Sequence, residues 1–144
     1  MSIDQSFLGR GWAFPPAFSK AGGPYSAGGQ AAMVSGDDDI RQSLHILLST
    51  APGERVMRPT FGCGIKLHVF DSISYNTLTE IKGMIAHAIL FFEPRITLDR
   101  IVVSDAGIEQ GRLDIHLVYT VRLTNTRSNM VYPFYFVEGT NATL

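Results

Sequence analysis

Apolar residues recur along this chain with two different periods. Between positions 40 and 48, Ile40, Leu44, Leu47 and Leu48 fall at i, i+4, i+7 and i+8, which places them on one face of a helix. Arg41, Gln42 and His45 sit mostly off that face. The Asp37-Asp38-Asp39 run opens this helix, because a carboxylate there accepts from the free N–H groups of the first turn and suits the positive end of the dipole. Pro52-Gly53 is the stop signal. A second helix is predicted from about Ser74 to Phe92, with Leu78, Ile81, Ile85, Ile89 and Phe92 as its stripe and Ala88 beside it. Gly83 in its middle costs about 1 kcal/mol relative to Ala, so close packing is expected at that point. Glu93-Pro94-Arg95 ends the helix, since a residue before proline is pushed out of helical angles.

The period then drops to two. One strand is predicted over Ile96 to Ser104. In the next, "RLDIHLVYTVRLT", Leu113, Ile115, Leu117, Tyr119, Val121 and Leu123 face one way, while Asp114, His116, Val118, Thr120, Arg122 and Thr124 face the other. The turn "NTRSN" leads to a last strand, "MVYPFYFVEG", over 130–138. Pro133 cannot donate a ladder hydrogen bond and puts that strand at an edge. The order of elements predicts an α+β fold, a two-layer sandwich of a small antiparallel sheet with two helices packed on one face. Residues 1–36 read differently: an extended piece around Trp12 to Phe14, a Gly-rich loop in "KAGGPYSAGGQ", and a short strand at 31–34.

Composition adds limits. A chain of 144 residues suits a single domain spanning 1–144. With 45% hydrophobic and 17% charged residues it can fill one core. A formal net charge of -1 gives no basic surplus for nucleic acid. The apolar run at Ile89 to Phe92 is far too short to span a bilayer, so no membrane insertion is expected. The N-terminal "MSIDQSFLGRGWAFPP" lacks the plan of a Sec signal. One cysteine cannot form an internal disulfide, which fits a reducing cytoplasm as the place of synthesis.

The stretch "STAPGERVMRPTFGCGI", Ser49 to Ile65, holds two prolines, three glycines and the single cysteine between the two helices. Gly62 and Gly64 are expected to permit tight backbone geometry around Phe61. Cys63 would need a base or positive field to act as a nucleophile, and His68 is the nearest candidate. A small residue filling a tight place is the plainer reading. His45, His68, His87 and His116 form no HExxH and no zinc-spaced pair with the cysteine. Gly9-Arg-Gly11 is half of a dinucleotide fingerprint, with Phe14 where the third glycine would stand. No metal, cofactor or catalytic residue is therefore assigned. Glu54, Asp71, Glu80 and Glu93 are the available carboxylates, and Arg55 and Arg95 stand beside two of them, which keeps a carboxylate ionised and argues against a general acid. The loops PGER and EPR thus each carry a Glu–Arg pair beside a proline. Each pair is either an internal clamp or a partner contact.

"FLGRGWAFPPAF", "DIRQSLHILLSTAPGERVMRPTFGCGI" and "FFEPRI" together resemble the phage baseplate wedge family long labelled "lysozyme-like". That family also occurs in type VI secretion and in extracellular contractile injection systems, and the GRGWAFPP opening is most similar to the injection-system branch. The resemblance implies a non-enzymatic structural subunit, present in multiple copies within a contractile particle. It implies contacts with wedge proteins, with the sheath, and with the central hub or spike and inner tube, and a template for the first sheath ring. Strands of the sheath would add to a sheet edge, for which 130–138 is the candidate. The interaction residues it implies are Glu93, Pro94 and Arg95, with Glu54, Arg55 and Arg58 as a conspicuous loop. On this reading Arg95→Ala leaves a folded monomer that assembles sheath poorly. The alternatives are a regulatory module similar to an anti-adaptor that binds a response-regulator-like protein, and a peptidoglycan hydrolase.

Overall fold

The computed structural model describes residues 8–19, 29–69 and 71–136. The predicted Gly-rich loop falls largely on 20–28 and the end of the last predicted strand on 137 and 138, outside the described residues. Contacts divide the chain between Ser43 and Leu44, so the two parts are taken in turn.

The first part holds two short antiparallel ribbons. β1 (Arg10–Trp12) pairs with β4 (Met33–Ser35), and β2 (Phe18–Ser19) with β3 (Gln30–Ala31). The predicted strand at 31–34 is thus two strands separated by Ala32, whose N–H reaches the Ala17 carbonyl at 2.7 Å. α1 (Gly36–Ser49) begins here with the three aspartates in its first turn. Gly11 passes so close to Asp39 that a Cβ would lie 2.8 Å from its Oδ1. Gln42 Oε1 accepts from the Phe14 N–H at 2.8 Å. These contacts tie the start of the chain to the first turns of the helix.

The second part carries the core. α1 stops at Ser49, where Ser49 Oγ and Thr50 Oγ1 donate to the His45 and Ile46 carbonyls at 2.7 and 2.6 Å. These hydroxyls add a second hydrogen bond to carbonyls of the last turn, the Ile46 carbonyl also accepting from the Thr50 N–H at 3.0 Å, three residues before Pro52. α2 (Tyr75–Phe92) begins as predicted: Ser74 is its N-cap and accepts from the Thr77 N–H. A short 3-10 turn, Gly64–His68, lies between the helices.

β5 (Ile96–Ser104), β6 (Arg112–Val121) and β7 (Thr126–Tyr135) form one antiparallel sheet in the order β5-β6-β7. β6 alternates without a fault, and Leu113, Ile115, Leu117, Tyr119 and Val121 are all buried. Opposite them on the same face stand Ile96, Leu98, Ile101 and Val103 of β5, and Met130, Tyr132 and Phe134 of β7. The step from Leu98 to Ile101 is three residues, because Asp99 is inserted as a bulge. Asp99 is held outside by Thr120 Oγ1 at 2.7 Å and by Arg127 at 3.7 Å. The buried side chains of α2, Ile81, Ile85, Ala88 and Ile89, complete this core with Leu44, Leu47 and Leu48 of α1. His45 packs edge-on against Tyr132 at 5.6 Å, so the end of α1 lies on the inner face of the sheet.

Three expectations need correction. Leu123 does not face inward: β6 ends at Val121, and residues Arg122 to Asn125 form the hairpin turn, leaving Leu123 exposed. The turn therefore lies before "TRSN", and Thr126 to Asn129 belong to β7, which pairs from Thr126 against Val121. Gly83 is not closely packed by any described residue, since among these a Cβ there would have nothing within 4 Å. The edge position of Pro133 is as predicted: β7 is an outer strand, and Pro133 stands opposite Asp114.

Candidate interaction site

The Thr50–Gly64 loop is closed by its own backbone. Cys63 N–H donates to the Thr50 carbonyl at 2.9 Å, and Gly53 N–H to the Pro59 carbonyl at 2.8 Å. Gly62 makes that closure possible. Its φ is +133°, and a Cβ would lie 2.5 Å from the Thr50 oxygen and 2.9 Å from the Ala51 carbonyl carbon. Gly64 differs, since its Cβ would meet side chains, the flexible Met84 sulfur at 2.9 Å and Leu67 Cδ1 at 3.6 Å. Gly53 has φ +92° in open space.

The adjacent charges of PGER take separate partners. Glu54 Oε2 accepts from the Ala51 N–H at 2.8 Å, and Oε1 pairs with Lys66 Nζ at 3.2 Å. The Ala51 N–H first, and then the Lys66 ammonium, hold the Glu54 carboxyl below its ordinary range. Arg55 instead covers the Phe61 ring, its guanidinium carbon 4.2 Å from the centroid. Phe61 meets Phe92 edge-on at 5.2 Å. Phe92 is the last residue of α2, so this stack joins the PGER loop to the EPR turn.

In that turn Glu93 is the C-cap of α2 and is 2% exposed. Its carboxylate is gripped at both oxygens, by Arg95 Nε at 2.6 Å and Nη2 at 2.8 Å. Arg95 is 25% exposed and Pro94 is exposed. The Arg95 carbonyl accepts from the Arg122 N–H at 3.0 Å, fixing the turn to the hairpin end of the sheet. Of the six residues singled out, Glu93 faces the interior. Pro94, Glu54, Arg55 and Arg58 reach the surface, and Arg95 bridges the two.

Chemistry that the residue types allowed in principle is not assembled. The Cys63 thiol is buried, and burial pushes its pKa up to about 11, so it lacks the thiolate that nucleophilic attack needs. His68 turns Nδ1 to Asp71 at 2.6 Å, with Nε2 at 4.0 Å from Glu80. Each of the four candidate carboxylates thus lies against a cation or an imidazole. Among the described residues no cluster of histidine, cysteine and carboxylate side chains could hold a metal, and no helix is long and apolar enough to cross a membrane.

What the sequence reading missed is a groove. The loop and the 3-10 turn on one side and α2 on the other enclose an open space of about 980 Å³. Arg58, Gly62 and Leu67 face it from the first side, and Gly83, Met84, His87 and Phe91 from α2. Leu67 and Phe91 are exposed, and Val56 and Met57 nearby are 92% and 91% exposed. One signal was present: α2 is apolar beyond its core stripe, which an ordinary surface helix is not.

Residues 34–126 match the family described as baseplate wedge protein gp25. Among solved structures the chain is similar to a Geobacter sulfurreducens protein carrying the provisional name tail lysozyme. That similarity is 48% identity over 74% of this chain and 96% of the other, with a TM-score of 0.69. It is also similar to a chain of the anti-feeding prophage baseplate, at 26% identity over 96% of this chain and 94% of that one, with a TM-score of 0.61. A chain of the post-contraction pyocin R2 baseplate shares the fold, at 18% identity, 85% and 99% coverage and a TM-score of 0.50. No functionally curated protein matches the sequence.

Proposed function

Because the chain belongs to the gp25 family of baseplate wedge proteins, we propose that it is a structural subunit of the baseplate of a contractile, phage tail-like injection machine. The observation that carries this reading is the breadth of the likeness: the family match runs from β4 through β6 to the first residue of β7, and the anti-feeding prophage baseplate chain aligns with 96% of the sequence. Its work is assembly, done by side chains and strand edges rather than by a reacting group. We place it, in several copies, within an assembled particle beside other wedge proteins.

Two finer roles follow. β7 is an outer strand among the described residues, and one side of it is unpaired by them. A strand from the first sheath ring would add there, with Pro133 limiting where donors can pair. The PGER loop and the exposed side of the EPR turn, held together by Phe61 and Phe92, then form one neighbouring contact surface. A hydrolytic role is disfavoured, because Glu93 is clamped by Arg95 and Glu54 is occupied by Ala51 and Lys66.

The test is the composition and activity of purified particles. The chain is expected in baseplates in fixed ratio to the other wedge proteins, and particles lacking it should carry no sheath. Sheathed, contractile particles formed without the chain would refute the role. Purified protein that degrades peptidoglycan, with loss of turnover on Glu54 or Glu93 substitution, would refute the non-enzymatic reading.

A further inference from the structure

The two edges of the sheet differ. β5 and β7 are its outer strands among the described residues, with β6 between them. β7 pairs with β6 residue for residue from Thr126 to Tyr135, so its backbone runs without a break. Pro133 is the one position of β7 that lacks an N–H, and Thr126 to Tyr132 all precede it. β5 is interrupted at its middle. Leu98 stands opposite Tyr119 and Arg100 opposite Val118, so Asp99 has no opposite residue. Such an insertion bends the strand, increases its twist and splits the row of N–H and C=O groups on its outer side. Asp99 and Arg100, both exposed, put two charges at the break.

The insertion is also held in place. Asp99 Oδ2 accepts from Thr120 Oγ1 of β6 at 2.7 Å and lies 3.7 Å from Arg127 Nε of β7. One carboxylate of β5 is thus engaged by both other strands of the sheet.

The core does not need this residue. Ile96 and Leu98 face inward before the bulge, and Ile101 and Val103 after it. Tyr119 and Val118 are adjacent in β6, so taking Asp99 out would leave Leu98 inward, Arg100 outward and Ile101 inward in an unbroken alternation. An insertion that packing does not require, fixed by a carboxylate across three strands, acts on what can pair with the edge. From these observations, and resting on the strand addition at β7 put forward above, we propose that Asp99 is a specificity-determining residue that closes the β5 edge. A partner strand then adds along Thr126 to Tyr132 only, and the sheet grows in one direction. Thr120 and Arg127 are positioning residues, since they act by holding the Asp99 carboxylate.

The test has two arms. The first uses the purified full chain in three forms: wild type, a deletion of Asp99, and that deletion with Arg100→Thr. They are compared by thermal melting, by sedimentation equilibrium, and by photo-cross-linking from benzoyl-phenylalanine at position 102, where Val102 is an exposed residue of β5. The deletion chains are expected to fold and to self-associate with a dissociation constant lower than that of wild type by roughly tenfold or more, the fold-change that about 1.4 kcal/mol gives. They should cross-link copy to copy from position 102, and wild type should not. Deletion chains that fold but neither associate nor cross-link would overturn the proposal. So would a deletion chain that fails to fold, since packing would then require Asp99. The second arm leaves Asp99 in place. The chain is assembled with the sheath, tube and baseplate proteins of its own particle, with benzoyl-phenylalanine at 102 on β5 or at 131 on β7. Cross-links to an extended sheath segment are expected from 131 alone, and such a cross-link from 102 would overturn the closed edge. Sheath cross-links from neither position would refute the strand addition at β7, while the first arm decides the closed edge without it.

Discussion

Removing Arg95 should cost the fold before it costs any contact. Glu93 is 2% exposed and its two oxygens accept from Nε and Nη2 of Arg95 at 2.6 and 2.8 Å. Arg95→Met would take from that buried carboxylate the guanidinium contact at both of its oxygens. Breaking one side of a buried pair costs about 3–5 kcal/mol. Arg95 is itself a quarter exposed, so water can enter the vacated space, and the low end, about 3 kcal/mol, is the better figure. Domains of this size hold about 5–15 kcal/mol in all, so the variant should still fold in buffer. With a urea slope of about 2 kcal/mol per molar, the unfolding midpoint should fall by about 1.5 M. The decisive comparison is Glu93→Met with Arg95→Met together. The double variant removes both charges and keeps the volume, so it should recover to within about 1 kcal/mol of the wild type, or exceed it. A midpoint for Arg95→Met within about 0.3 M of wild type would refute the argument. So would a double variant no more stable than the single one. The outcome also governs how assembly data are read. A sheath defect in Arg95→Ala would mix lost stability with lost contact. The double variant, if stable, isolates the contact.

Three further outcomes are expected. Gly62→Ala should destabilise by about 3 kcal/mol or more, since its Cβ meets backbone at 2.5 Å, whereas Gly53→Ala, strained only in φ, should cost about 1 kcal/mol; equal urea midpoints would contradict this. The Glu54 carboxyl is held below its ordinary value of 4.5, so its contribution is present above pH 4.5 and lost as pH falls through the lowered value; Glu54→Gln should flatten that part of the acid limb, and an unchanged limb would count against the Ala51 and Lys66 contacts. The Cys63 thiol, raised to about 11 from 9.0, favours the folded state below pH 9 and loses that advantage as pH climbs toward 11; in native protein at pH 8 it should react with a thiol reagent only as fast as the fold opens, and rapid labelling would refute its burial.

Much of the fold was legible because it is local. The start of α2 follows from Ser74 and its end from Pro94, whose effects reach only a turn. β6 follows from a period-two pattern that one buried face imposes on every second residue. Leu123 broke the pattern because alternation says nothing about where a hairpin turns. The bulge at Asp99 was equally hidden, since inserting one residue needs a partner strand to be seen.

The site was legible only in part. Sequence alone identified the two Glu–Arg loops and left each open between clamp and contact. The EPR pair could have been guessed as a clamp, because its two charges lie two residues apart. The PGER charges could not, for Lys66 lies twelve residues from Glu54, and the Phe61–Phe92 link spans thirty-one. Sequence by itself determined the two helices and the inward face of β6, through periodicity and through residues that cap or forbid a helix. Only the tertiary structure decided which charges meet, that Glu93 lies inside while Arg58 is exposed on the rim of a groove, and that Gly83 faces that groove. The reason is distance: side-chain partners and open surfaces are set by segments far apart in the chain, and no local pattern records them.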